Sequence, residues 1–176
     1  MKASAFLPIV LLAVVVSSCK DAGTGPGSEP PSELYLETEY VNSAWGYSHN
    51  GRFIDAAGDI ISYDLASSGT QWVTNSTGYY TEAELWAKIH HSDTVRGFVP
   101  ADTLKMLRRL AFASVPGANS DTICAGADRG LFITCCYVFR ADSSKFQRIE
   151  LRVDGDCTYH NTSQSAIELA NWLAGK

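Results

Sequence analysis

Three rhythms of apolar residues divide this chain. From Phe6 to Val16 the residues are apolar without a polar break, with Pro8 inside the run. Residues 20–33 hold no large apolar side chain and are dominated by Gly, Pro and Ser, a composition that cannot bury enough surface to order itself. From Leu34 onward short apolar stretches alternate with turn-forming residues, and periods of two and of about 3.6 residues predict individual elements.

Residues 34–48, rich in Tyr, Val and Trp, predict a strand. Phe53–Asp55 and Ile60–Leu65 predict two more, joined by Ala56-Ala57-Gly58-Asp59, a hairpin loop in which Gly58 is free to take a positive φ. Gln71–Thr74 predicts a short edge strand. Helical spacing follows: Leu85, Trp86 and Ile89 form one face of a helix over 82–91, with Thr81 and Glu84 as its capping box. Leu104, Leu107, Leu110 and Ala111 mark a second helix over 101–113, begun by Pro100 and stopped by Pro116-Gly117. Leu131–Arg140 is the clearest strand. Ala141–Lys145 turns the chain. Residues 146–153 return with Ile149, Leu151 and Val153 alternating against Arg148, Glu150 and Arg152, which predicts one buried and one wet face. Asn161 or Thr162 caps a last helix to about Ala174, along which Ala166, Leu169, Ala170 and Leu173 share a face. Strands, helices, strands and a helix, without βαβ alternation, predict one α+β domain over residues 34–176. Its expected form is an antiparallel sheet of hairpins packed on one face by about three helices.

Composition narrows the function more than it identifies it. A formal net charge of −5 leaves no electrostatic footprint for nucleic acid. Four Trp, eight Tyr and seven Phe supply enough apolar bulk for a proper core. The glycines of Ala125-Gly126-Ala127-Asp128-Arg129-Gly130 lack the Lys-Ser/Thr of a P-loop and the spacing of a dinucleotide fingerprint, so no cofactor is expected. No metal is expected either. His90 and His91 are neighbours whose side chains diverge by about 100° on a helix. Asp154-Gly155-Asp156 lacks the glutamate of a calcium loop, its place being taken by Ala166.

Candidate chemistry is sparse. His49, near Tyr47, Asp55 and Asp64, and His160, near Asp156, offer a histidine with carboxylates for general acid–base work. The plainer reading is turn-capping aspartates and surface histidines. No Gly-x-Ser-x-Gly elbow supplies a serine nucleophile. Trp45, Tyr47, Trp72, Tyr79 and Tyr80 cluster in sequence and suit either the core or, if exposed together, a sugar or peptide partner. Lys105, Arg108 and Arg109 form the one basic patch, either a solvated helix face or a contact for anionic head groups.

Four cysteines follow residue 34. A hairpin with Arg140 opposite Phe146 places Cys136 near Glu150 and Cys157 beyond the open end, where Cys124 also falls. Cys124–Cys157 is therefore the expected disulfide, with Cys135 and Cys136 as mid-strand thiols.

The N-terminus carries the one resemblance. Lys2, the apolar run and the ending Val16-Ser17-Ser18-Cys19 have the three-part layout of a secretory signal, and the ending resembles the lipobox of bacterial lipoproteins. The run is too short to span a bilayer as a helix, which takes roughly 20 residues. The resemblance implies removal of residues 1–18, lipidation of Cys19, a tether over 19–33 and a domain anchored to a membrane through acyl chains. Lys20 replaces the Asp that favours inner-membrane retention in enteric bacteria, which points to the outer membrane. The expectation is an envelope lipoprotein that binds a protein or a glycan without catalysing a reaction. The alternatives are a small envelope hydrolase using a histidine and a carboxylate, or an inhibitor of an exported enzyme.

Overall fold

The computed structural model describes residues 34–67, 69, 72, 75–89, 94–126 and 128–175. Cys19 with its tether, the expected strand Gln71–Thr74 apart from Trp72, and His90-His91 lie outside the described residues. The strands are β1 (Leu34–Asn42), β2 (Ser48–Ile54), β3 (Asp59–Asp64), β4 (Tyr79–Tyr80), β5 (Thr94–Phe98), β6 (Ile123–Cys124), β7 (Leu131–Arg140), β8 (Lys145–Gly155) and β9 (Cys157–His160). The helices are α1 (Glu82–Ile89), α2 (Ala101–Ser114) and α3 (Gln164–Ala174). The nine strands form an antiparallel sheet in the order β5-β3-β2-β1-β7-β8-β9-β6, with β4 also paired to β8. The fold is α+β.

The central strand explains the layering. Along β1, Leu34 and Leu36 point to one face and Tyr35, Glu37 and Glu39 to the other, and all five are buried. A strand buried on both sides needs cover on both sides. On the leucine side Leu34, Leu36, Ile54, Cys136, Val138 and Leu151 pack against Leu104 and Leu107 of α2 and Leu169 and Leu173 of α3. On the tyrosine side Tyr35, Phe53, Tyr63, Tyr80 and Tyr137 pack with Leu85 and Ile89 of α1. The expectation of three helices on one face therefore holds for α2 and α3 and is corrected for α1.

Local signals explain most ends. Asp55 Oδ1 accepts from the N–H groups of Ala57, Gly58 and Asp59, each at 2.9 Å, and Gly58 turns the hairpin at φ 99°. The capping box is formed: the N–H of Thr81 donates to Glu84 Oε2 at 2.6 Å and that of Glu84 to Thr81 Oγ1 at 3.2 Å. The last helix is capped by Ser163, not by Asn161 or Thr162. Asn161 is fully buried and instead ties the end of α2 to the start of α3, donating to Ser114 O and accepting from Ser163 N.

Two register details differ from expectation. The stretch 34–48 is not one strand, because β1 ends at Asn42 and the chain bends before β2. The β7–β8 turn is one residue tighter, with Arg140 opposite Lys145, so Cys136 faces Ile149 and Cys135 faces Glu150. A bulge beside Thr134 and Cys135 then inserts Leu151 as an extra residue. The bulge switches the faces of Arg152 and Val153 and so breaks the simple alternation read for 146–153. Before it, Arg148 lies on the covered tyrosine side with its side chain only 4% exposed, so that face is not wet. Cys124 and Cys157 are joined as a disulfide and clamp β6 to β9, while Cys135 and Cys136 are buried thiols.

Candidate functional site

Two polar assemblies stand out, one sealed and one open. The sealed one lies between the tyrosine side of the sheet and α1. Lys88 reaches down from α1 to Glu37 Oε1 at 2.7 Å and Glu39 Oε2 at 2.6 Å, and both carboxylates and the ammonium are buried. Tyr63 and Tyr137 donate their hydroxyls to Glu37 at 2.6 and 2.7 Å. Arg148 closes on Glu39 Oε1 at 2.7 Å. The backbone N–H of Trp72 donates to the Tyr47 hydroxyl, which lies 3.0 Å from His49 Nδ1, and His49 Nε2 lies 2.7 Å from Glu39. The rings of Tyr63 and Trp72 flank Lys88, their centroids 5.3 Å from Nζ. Gly51 opposite Glu39 leaves room for the Tyr63 hydroxyl, which a Cβ there would meet at 2.7 Å.

The electrostatics are those of a closed, neutralised cluster. Burial alone pushes the Glu39 carboxyl up, but Lys88, His49 and Arg148 outweigh it and hold the group well below its ordinary value of 4.5. Burial pulls Lys88 down, and the two glutamates outweigh it and hold the ammonium above 10.5. Tyr63, Tyr137 and Cys135 are raised, first by burial and then by neighbouring groups that include Glu37, so they stay protonated at neutral pH. Glu37, Glu39 and Cys135 also sit close enough to share a cation. Lys88 already fills that role for the two carboxylates. The cluster can hold α1 on the sheet. Among the described residues its carboxylates and ammonium are enclosed and not open to a substrate.

The open assembly is on the other face. Register places residues of neighbouring strands side by side, and the rows change character along the sheet. Ile60, Ile54, Leu36, Cys136 and Ile149 form an aliphatic row beneath the helices. The next row on that face reads Ser62, Arg52, Thr38, Thr134, Arg152 and His160 across six strands. Beyond it come Asp64, Asn50, Tyr40, Phe132 and Asp154. These polar rows lie past the end of α3, where Ala174 forms one wall of a cavity of about 590 Å³. A second cavity of about 290 Å³, between β8, β9 and α3, shares Arg152 and Asp154 with the first. The ring centroids of Tyr40 and Phe132 are 4.6 Å apart, and Phe132 is 61% exposed. Bonds to Arg129 O and from Asn42 Nδ2 fix the Tyr40 hydroxyl.

No family model, curated protein or solved structure matches this chain. Function must be read from these two assemblies.

The sequence candidates distribute unevenly between them. His49 is buried in the sealed cluster, paired with Glu39 and not with Asp55. Asp55 caps its turn, and Asp156 accepts from the Arg129 N–H at 2.8 Å and so braces a loop. His160 is exposed and ends the polar row. Tyr80 is buried in the tyrosine-side core with the half-buried Trp72 stacked on it at 6.0 Å, and Tyr47 and Tyr79 are half-buried. Trp45 alone of that group stands clear, 84% exposed on the bend before β2. Lys105 and Arg109 are exposed on α2 and Arg108 is half-buried. Sequence reading missed Arg52, Thr38, Thr134, Tyr40 and Phe132. The signal was available: every second residue of β1 runs Leu34, Leu36, Thr38, Tyr40, and β7 runs Val138, Cys136, Thr134, Phe132. Both change from apolar to polar at the same level.

Proposed function

We propose that the chain is a lipid-anchored envelope protein whose domain binds a glycan on the uncovered half of its sheet. The observation that carries this reading is the fixed, partly exposed Tyr40–Phe132 pair beside a row of guanidinium and hydroxyl side chains. A sugar ring has a C–H face that packs on an aromatic ring and equatorial hydroxyls that need donors and acceptors around its rim. The cavity has the volume of a small-molecule site. The anchor rests on the lipobox resemblance at Cys19, and Lys105 and Arg109 add positive charge that suits anionic head groups. A hydrolase is less well supported, since the histidine that has a carboxylate partner, His49, is enclosed.

The test is an oligosaccharide array probed with the detergent-solubilised full chain and its Phe132→Ala variant. The native chain should bind members of the array, and loss of the exposed ring should weaken binding about tenfold, the equivalent of about 1.4 kcal/mol. Equal binding by both proteins would remove the groove from consideration.

A further inference from the structure

We propose that the glycan held in this groove is acidic, and that Arg52 receives its carboxylate. The inference rests on the glycan-binding reading above and adds the ligand's charge. Two guanidinium groups stand in the polar row, and they differ in one respect. Arg152 is neutralised within the protein by Asp154, at 2.5 Å. Arg52 has no carboxylate partner among the described residues, although it is half-buried. Elsewhere this acidic chain pairs its enclosed cations: Lys88 takes two glutamates and Arg148 another. Arg140, at the end of β7, is likewise half-buried without a carboxylate partner among the described residues, but Arg52 is the one that stands in the open groove.

The surroundings of Arg52 suit an oxyanion. Its cross-strand neighbours are Ser62 on one side and Thr38 on the other. A guanidinium presents parallel N–H donors that match the two coplanar oxygens of a carboxylate. The groove is also long. The polar row crosses six strands, about 24 Å at ~4.8 Å per strand, and the two cavities meet at Arg152 and Asp154. A site of that length fits a stretch of chain better than a single sugar, which makes a polyuronate-like polymer the occupant of matching chemistry.

The experiment titrates the full chain with oligomers of galacturonate, glucuronate and mannuronate, each beside its methyl ester, which keeps the backbone and removes the charge. At least one acid should bind tenfold or more tightly than its ester, with the preference shrinking as salt rises. Arg52→Gln should erase the preference by weakening acid binding more than ester binding, Arg52→Lys should keep part of it, and Arg152→Gln should alter it less. Equal affinity for acid and ester, or a preference that survives Arg52→Gln, overturns the acidic ligand and leaves the glycan reading standing. Failure of every acid and every ester to bind likewise overturns the acidic ligand, and the glycan reading then falls only if the oligosaccharide array also shows no binding.

Discussion

Glu39 shows how much one side chain of this fold depends on its neighbours. It lies 4% exposed and touches Lys88, His49 and Arg148 within 2.7 Å. Because its folded carboxyl titrates below the ordinary 4.5, the stability it lends is present above that value and is lost as pH falls below it. Urea midpoints measured from pH 7 down to pH 3 should therefore drop on the acid side. Glu39→Gln should begin lower at pH 7, by about 3–5 kcal/mol for a broken buried pair, and should drop less steeply. Parallel curves for the two proteins would mean that the pairing carries no net stability. Lys88 titrates above 10.5, so its side of the pair is intact throughout this range.

Among the elements, α1 is the one held by chemistry more than by length. It has 8 residues, short of the roughly 12–15 at which an isolated helix becomes even marginal. Leu85 and Ile89 bury its inner face, the capping box closes its start, and Lys88 plugs it into the two glutamates. Lys88→Met leaves those carboxylates enclosed with one cation fewer. It should cost about 3–5 kcal/mol, and amide exchange should rise first in residues 82–89; unchanged protection there would show that apolar contacts alone seat the helix. This element also marks the limit of what periodicity reveals. Helices α1, α2 and α3 and strands β7 and β8 were legible because each is long enough to display its rhythm. Strands β6 and β9 are too short to do so, and β5 exposes both Val95 and Phe98. The sealed cluster was hidden for another reason. Glu37 and Glu39 alternate with Leu36 and Thr38, the pattern of a wet face, and their partners Lys88 and Arg148 lie far along the chain. Local alternation separates the two faces of a strand. It does not tell which face another element will cover.

At the scale of the whole molecule, the sheet has an entry end and a far end. The chain joins the sheet at Leu34, and the Tyr40–Phe132 pair lies six residues further along β1, about 20 Å away. The groove therefore lies at the end of β1 opposite the one whose sequence leads back to the proposed anchor at Cys19. Cys19→Ala tests that anchor. The variant should lose its acyl mass and leave the membrane fraction, whereas lipidation that persists would overturn the assignment. Entry through β1 has a mechanical side as well. A pull transmitted from the tether reaches the fold at the end of a strand bonded along both edges, to β2 and β7. A load drawn lengthwise along β1 would be shared by those rungs in shear and would not peel them one by one. Under the proposed anchor the domain would hang by its middle strand.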